Sequence, residues 1–156
     1  MRDGNHSNQM DKHSIIGFLI TLLLIFCGCS THRRVDGWYP IADYPDNSVI
    51  GKLLVSVKDF DKITILKDTF IIEGDTVAQF LIQGRVKSEK RKQWADGTEQ
   101  LIGKRLGFIF NDSVITAPKI NARIESGNFQ ITSPDTVLLK SIFSDLEAIS
   151  GPTSSQ

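Results

Sequence analysis

The chain has 156 residues, 18 basic and 18 acidic side chains, 40% hydrophobic residues and two cysteines, which suits one ordinary globular domain and leaves no room for two large ones. A net charge of zero argues against a protein held on nucleic acid by bulk electrostatics, which needs surplus Lys and Arg to displace counterions. With 23% charged residues and two cysteines, neither a disordered chain nor a disulfide-dense scaffold fits.

Ile15 to Phe26 is a twelve-residue apolar run with Thr21 its one hydroxyl residue. It is shorter than the roughly 20 residues a bilayer-spanning helix needs, and it has the length of a secretory h-region. Gly28 and Cys29 follow. The stretch resembles a bacterial lipoprotein signal, with Phe26 where an aliphatic residue is usual. Residues 1–28 are therefore expected to be a signal peptide and Cys29 the lipidated, palmitate-bearing first residue of the mature chain. Cys27 is the poorer acceptor because bulky Phe26 precedes it. Before the run, Arg2 and Lys12 are offset by Asp3 and Asp11, so translation from Met10 would give a more typical signal. Multiple acyl chains, at roughly 0.8 kcal/mol per buried methylene, hold a protein on a membrane without a spanning helix. Ser30 is not an acidic retention residue, and Thr31 to Arg34 carry no acidic cluster. The expected location is the outer membrane, facing the periplasm.

If Cys29 is acylated, the mature domain has no thiol, and with His32 in the tether it has no imidazole beyond Arg33. Thiolate catalysis, Ser-His-Asp chemistry and His or Cys zinc sites are removed together. No metal and no small-molecule cofactor are expected. Carboxylates remain, and the closest pairs are Asp43 with Asp46 and Asp59 with Asp61. A hydrolase would need two carboxylates converging in a cleft about 5 to 9.5 Å apart, whereas these positions read as solvated loop and turn residues.

Residues 29–50 read as a lipidated tether, polar and broken by Pro40 and Pro45. The aromatics Trp38 and Tyr39 inside it either contact a ligand or partner or fold back onto the domain core, the commoner arrangement. The domain is expected over 51–150. Leu53 to Val57 reads as a strand and Lys58 to Lys62 as a turn or short helical segment. Ile63 to Leu66 and Phe70 to Glu73 read as strands separated by a turn at Lys67-Asp68-Thr69, and Val77 to Val86 as a strand with a bulge at Gly84. Ser88 to Lys104 is helical, with Trp94, Thr98, Leu101 and Ile102 on one face and Gly103 as its stop. Leu106 to Phe110 and Ser113 to Ala117 flank Asn111-Asp112, a two-residue hairpin turn that pairs Phe108 with Ile115 and Ile109 with Val114. Ile120 to Ile124 and Phe129 to Ile131 are further strands. The last helix starts with Ser133 as N-cap and Pro134 at its first position, and buries Leu139, Ile142, Phe143, Leu146 and Ile149. Residues 151–156 form a tail.

Gly103 to Thr132 resembles the head subdomain of the first periplasmic domain of SecD, in the SecDF export-accessory family. The features carrying the resemblance are Gly103, the strand Leu106 to Phe110, the turn Asn111-Asp112, Ala117-Pro118, Ile120-Asn121, Gly127 and Ile131-Thr132. Ser133-Pro134-Asp135 departs from the Gly and Phe that often precede the family's last helix. The resemblance implies an α+β fold of ferredoxin-like flavour, two helices packed on an antiparallel sheet. It does not carry SecDF's transport function, which uses transmembrane helices. The whole layout is similar to small lipoproteins of Bacteroidetes-type bacteria that carry this domain.

The expected protein is a periplasmic interaction module, attached to the membrane through its lipid, that binds an envelope or exported protein through a sheet edge or the Trp38-Tyr39 region. A carboxylate-dependent enzyme on an envelope polymer and a structural or stress lipoprotein without a specific ligand are the competing readings.

Overall fold

The computed structural model describes residues 33–72 and 75–150. The expected signal peptide 1–28, Cys29 and the tail 151–156 lie outside them. In chain order the elements are β1 (Gly37–Ile41), β2 (Val55–Ser56), a 3-10 turn (Val57–Asp59), β3 (Phe60–Ile72), β4 (Asp75–Val86), α1 (Ser88–Gln100), β5 (Arg105–Phe110), β6 (Ser113–Thr116), β7 (Asn128–Thr132) and α2 (Thr136–Ser150). The fold is α+β, and its strands form two antiparallel sheets, ordered β2-β1-β5-β6 and β3-β4-β7.

The first correction concerns the tether. The compact unit begins at Arg33, and Gly37–Ile41 is an inner strand between β2 and β5. Its sequence lacks alternation because both its faces are covered. Trp38 packs in the main core, while Tyr39 and Ile41 pack with Ile109 on the opposite face. Pro40 is tolerated because its main-chain groups point away from β5: its carbonyl accepts from Ile50 N–H at 3.0 Å on the outer side. Gly37 is needed because a Cβ there would sit 2.3 Å from the Val55 carbonyl oxygen.

β3 is one strand, not two. Lys67, Asp68 and Thr69 pair in register with Phe80, Gln79 and Ala78. They lie on the part of the β3–β4 ribbon that extends past β7, which pairs only with Leu81 to Arg85. Their polarity reflects exposure rather than a turn. Gly84 is no bulge either; it pairs regularly with Ile63 and Phe129, and the register shift lies between Phe60 and Lys62.

In the β5–β6 hairpin, Asn111 and Asp112 adopt φ of 50° and 60°, as a two-residue turn requires. Ile109 faces Val114 as expected, but an irregularity then brings Phe108 opposite Thr116 instead of Ile115. The expected strand Ile120 to Ile124 forms only one isolated bridge, from Ile120 to Ile102, beside that of the preceding Lys119 to Arg105. α2 begins at Thr136 and is capped by Asp135, whose Oδ1 accepts the Val137 and Leu138 N–H groups at 2.9 Å each. Ser133 instead accepts the Asp135 N–H at 3.1 Å.

The main core is aromatic at its centre. Phe60 and Phe129 have ring centroids 4.3 Å apart, and Trp38 lies 5.4 Å from Phe108 and 5.7 Å from both Phe129 and Trp94. Leu139, Ile142 and Leu146 of α2 close it, whereas Ile149 is exposed. No helix among the described residues is long and apolar enough to cross a membrane.

Candidate functional site

The two sheets do not merge into one. β6 is an edge of the first and β7 an edge of the second, and they approach where the Thr116 and Thr132 hydroxyls lie 3.3 Å apart. The space between the edges is a cleft of about 480 Å³. One wall is Thr116, Pro118, Ile120 and Ile124; the other is Asn128, Phe129, Gln130 and Thr132, with Gln83 beside them. Trp38, Trp94 and Leu106 also line it. None of these side chains carries a charge.

Each part of the lining has a local cause. Ile120 and its neighbours are pulled toward β5 by main-chain bonds: Leu106 N–H to the Pro118 carbonyl at 3.0 Å, Ile120 N–H to the Lys104 carbonyl at 2.9 Å, and Gly103 N–H to the Ile120 carbonyl at 2.8 Å. Ile124 is fixed by its N–H donating to Thr98 Oγ1 at 3.0 Å, and that hydroxyl donates to the Ala95 carbonyl at 3.0 Å. Arg123 ties the same segment to α1 through Asp96 at 2.9 Å and Glu99 at 2.6 Å. The bonds from Lys92 and Arg123 hold the Asp96 carboxyl below the usual carboxylate range, and the surrounding carboxylates raise the Arg123 guanidinium above its ordinary value. The ion pairs of Arg123 with Asp96 and Glu99 pin the rim of the cleft to the helix.

Trp38 and Tyr39, the aromatics singled out in the sequence, are separated by the fold. Trp38 is 2% exposed and lines the cleft. Tyr39 faces the smaller core, and its hydroxyl donates to the Val35 carbonyl at 2.7 Å. Burial pushes the Tyr39 phenol above its ordinary pKa, against the opposing effect of Arg34. The indole N–H groups of Trp38 and Trp94 are buried without an acceptor among the described residues. Trp94 appears in the sequence only as a helix-face residue, and Gln130 and Thr116 only as strand positions, because nothing local marks a gap between two sheets.

The carboxylate pairs serve other purposes. Asp59 Oδ2 accepts from Ser56 N–H at 2.8 Å and Ser56 Oγ at 2.9 Å, closing the 3-10 turn. Asp61 lies 3.5 Å from Arg85. Asp46 accepts from Ser48 Oγ at 2.7 Å in an exposed turn shared with Asp43. Among the described residues no group of three or more His, Cys, Asp or Glu side chains is placed to hold a metal.

A sequence profile of the family described as SecDF, P1 head subdomain, matches residues 56–138. Solved structures with a similar fold include a crystal structure of SecDF in a super-membrane-facing form, at 23% identity and a TM-score of 0.45 over 60% of this chain. Another is a structure of the membrane component SecDF that enhances protein export, at 23% identity and a TM-score of 0.49 over 69% of this chain. The matches span 12% and 44% of those chains. No curated protein sequence matches the chain.

Proposed function

This chain belongs to the SecDF P1 head subdomain family, and on that premise we propose that it is a lipid-anchored interaction module of the cell envelope that binds an envelope or exported protein. The observation that carries this reading is the uncharged cleft between two open sheet edges. It offers main-chain pairing and an apolar lining, which suit a polypeptide. Export enhancement is a property named for SecDF itself; what this chain shares with it is the head, and the role proposed here is the capture of a protein partner. Cys29 supplies the anchor, placing the module on the outer membrane facing the periplasm.

Two experiments test the two halves. Metabolic labelling with an alkynyl palmitate should mark the chain, persist in Cys27→Ser and vanish in Cys29→Ser; label retained in Cys29→Ser refutes the anchor. A photo-crosslinking residue at Thr116, beside the cleft, should form adducts with a polypeptide of the envelope in living cells, whereas one at Lys67 on the exposed ribbon should not. Equal yields at the two positions, or none at either, refute protein binding at this site.

A further inference from the structure

The two sheets have four edges, and they differ in a way that bears on binding. β3 is an outer edge and carries Asp61, Lys62, Lys67 and Asp68. β2 is an outer edge of only two residues. Charge and shortness are the usual devices that keep a free edge from pairing with another chain. β6 (Ser113–Thr116) and β7 (Asn128–Thr132) have neither a charged residue nor a proline. The protected edges are the outward ones, and the unprotected edges face each other across the cleft.

The register identifies the available groups on β7. Val86 pairs with Gly127 through the Val86 N–H to the Gly127 carbonyl at 3.0 Å. Hydrogen-bonded and non-hydrogen-bonded pairs alternate along an antiparallel ladder. Gly84–Phe129 and Ile82–Ile131 are then the bonded pairs, and Arg85–Asn128, Gln83–Gln130 and Leu81–Thr132 the non-bonded ones. The N–H and C=O of Asn128, Gln130 and Thr132 consequently point away from β4, to the free edge. Those three residues all line the cleft. The Asn128 N–H is taken by Ser126 Oγ at 3.2 Å, and Thr132 is where β6 closes on β7, which leaves Gln130 as the central pairing position.

We infer that β7 receives an extended, uncharged peptide segment of the partner as an added strand, with Gln130 at the centre of the new ladder. An apolar side chain of that segment lies on Trp38, Trp94 and Phe129. The absence of charge in the lining suits a peptide backbone flanked by apolar or hydroxyl side chains and disfavours acidic or basic segments, whose charges would be desolvated without a counterpart. Because the recognition is by main chain, many sequences would be accepted. This inference rests on the protein-binding function proposed above and specifies its mode.

The chain contains two tryptophans, Trp38 and Trp94, and both line the cleft. The test uses the full chain in lipid nanodiscs, 15N-labelled at tryptophan, with a fluorescein-labelled probe peptide alternating Thr with Leu or Val between terminal lysines. Expected results are a rise in anisotropy, movement of both indole N–H signals, and loss of binding when every peptide amide is N-methylated. Gln130→Pro removes the outward N–H without touching the β4 ladder and should weaken binding roughly tenfold or more. Gln130→Ala keeps the main chain and should stay within about threefold. Protection of the Gln130 amide from hydrogen exchange on adding peptide gives the same answer in the unmutated chain, whatever the fate of the proline variant.

Peptide binding with unmoved indole signals overturns the strand-addition site while leaving protein binding intact. Adducts at Thr116 in cells, with neither peptide binding nor indole movement, also leave protein binding standing and overturn its mode. Indole signals that move with protein concentration alone assign the cleft to a second copy, and signals that respond only to a change of nanodisc lipid assign it to an acyl chain; either result overturns the inference. Equal losses in Gln130→Ala and Gln130→Pro overturn it as well, since the side chain would then be the determinant.

Discussion

Replacing Gly84 by alanine tests how tightly the aromatic centre of the core is built. A Cβ on Gly84 would lie 2.4 Å from Phe129 Cζ and 2.6 Å from Phe129 Cε2, with the Lys62 carbonyl oxygen at 3.0 Å. Ordinary carbon contacts are about 3.5 to 4.0 Å, so the ring would have to retreat by about 1 Å. It has little room, with Phe60 4.3 Å and Trp38 5.7 Å away between centroids. Overpacking of this kind costs about 1 to 3 kcal/mol, outweighing the roughly 0.5 to 1 kcal/mol by which alanine is otherwise preferred to glycine in a strand. The net expectation is a loss of about 1 to 2 kcal/mol. Phe129→Leu deletes the two atoms that clash, so in that background the same change should be close to neutral, a coupling of at least about 1 kcal/mol. Urea unfolding followed by tryptophan fluorescence on the four chains of this cycle measures it. Equal costs in both backgrounds would falsify the assignment of Gly84 to the Phe129 ring.

Asp135→Ala removes the α2 cap and should lower stability by about 1 kcal/mol in the same assay, with Ser133→Ala smaller. Thr98→Val strands the Ile124 N–H and should cost about 1 to 2 kcal/mol while accelerating hydrogen exchange at Ile124; Thr98→Ser should restore both. Asp96 has its folded-state pKa below the ordinary value, so it contributes stability above the unfolded-state pKa and loses it as pH falls through the folded-state value. A carbon-detected NMR titration should place its midpoint below that of an ordinary aspartate, and both Lys92→Met and Arg123→Gln should raise it.

Sequence reasoning succeeded where local chemistry decides structure. The Asn111-Asp112 turn follows from two residues that tolerate positive φ, and the α2 stripe of Leu139, Ile142 and Leu146 follows from helical period. It failed where tertiary partners decide. Gly37–Ile41 resembled a tether because a strand covered on both faces has no alternation. Lys67-Asp68-Thr69 resembled a turn because a ribbon extending past its third strand is polar for the same reason a turn is: it meets water. Of the cleft, only Trp38 was singled out in advance as a contact residue. Trp94, Phe129 and Gln130 converge on it from one helix and one edge strand, and no local pattern carries that convergence.

The misread segment Ile120 to Ile124 explains why there is a cleft at all. Had it formed a strand, it could have bridged β6 to β7 and closed the two sheets into one. Pro118 has no N–H to give such a ladder, and its carbonyl, like both main-chain groups of Ile120, is already bonded back to the Gly103 to Leu106 segment. Arg105 Nε takes the Ala117 carbonyl as well, at 3.0 Å. The chain leaving β6 is thus committed to the first sheet, and Arg123 and Thr98 then fasten its far end to α1. Among the described residues β7 has no hydrogen-bonded strand on its free side, and β6 approaches it where Thr116 meets Thr132. The bonds that hold the 118–124 segment away from β7 are therefore the ones that keep the binding edge open. Weakening them with Thr98→Val should increase the mobility of one cleft wall before it affects β7 itself.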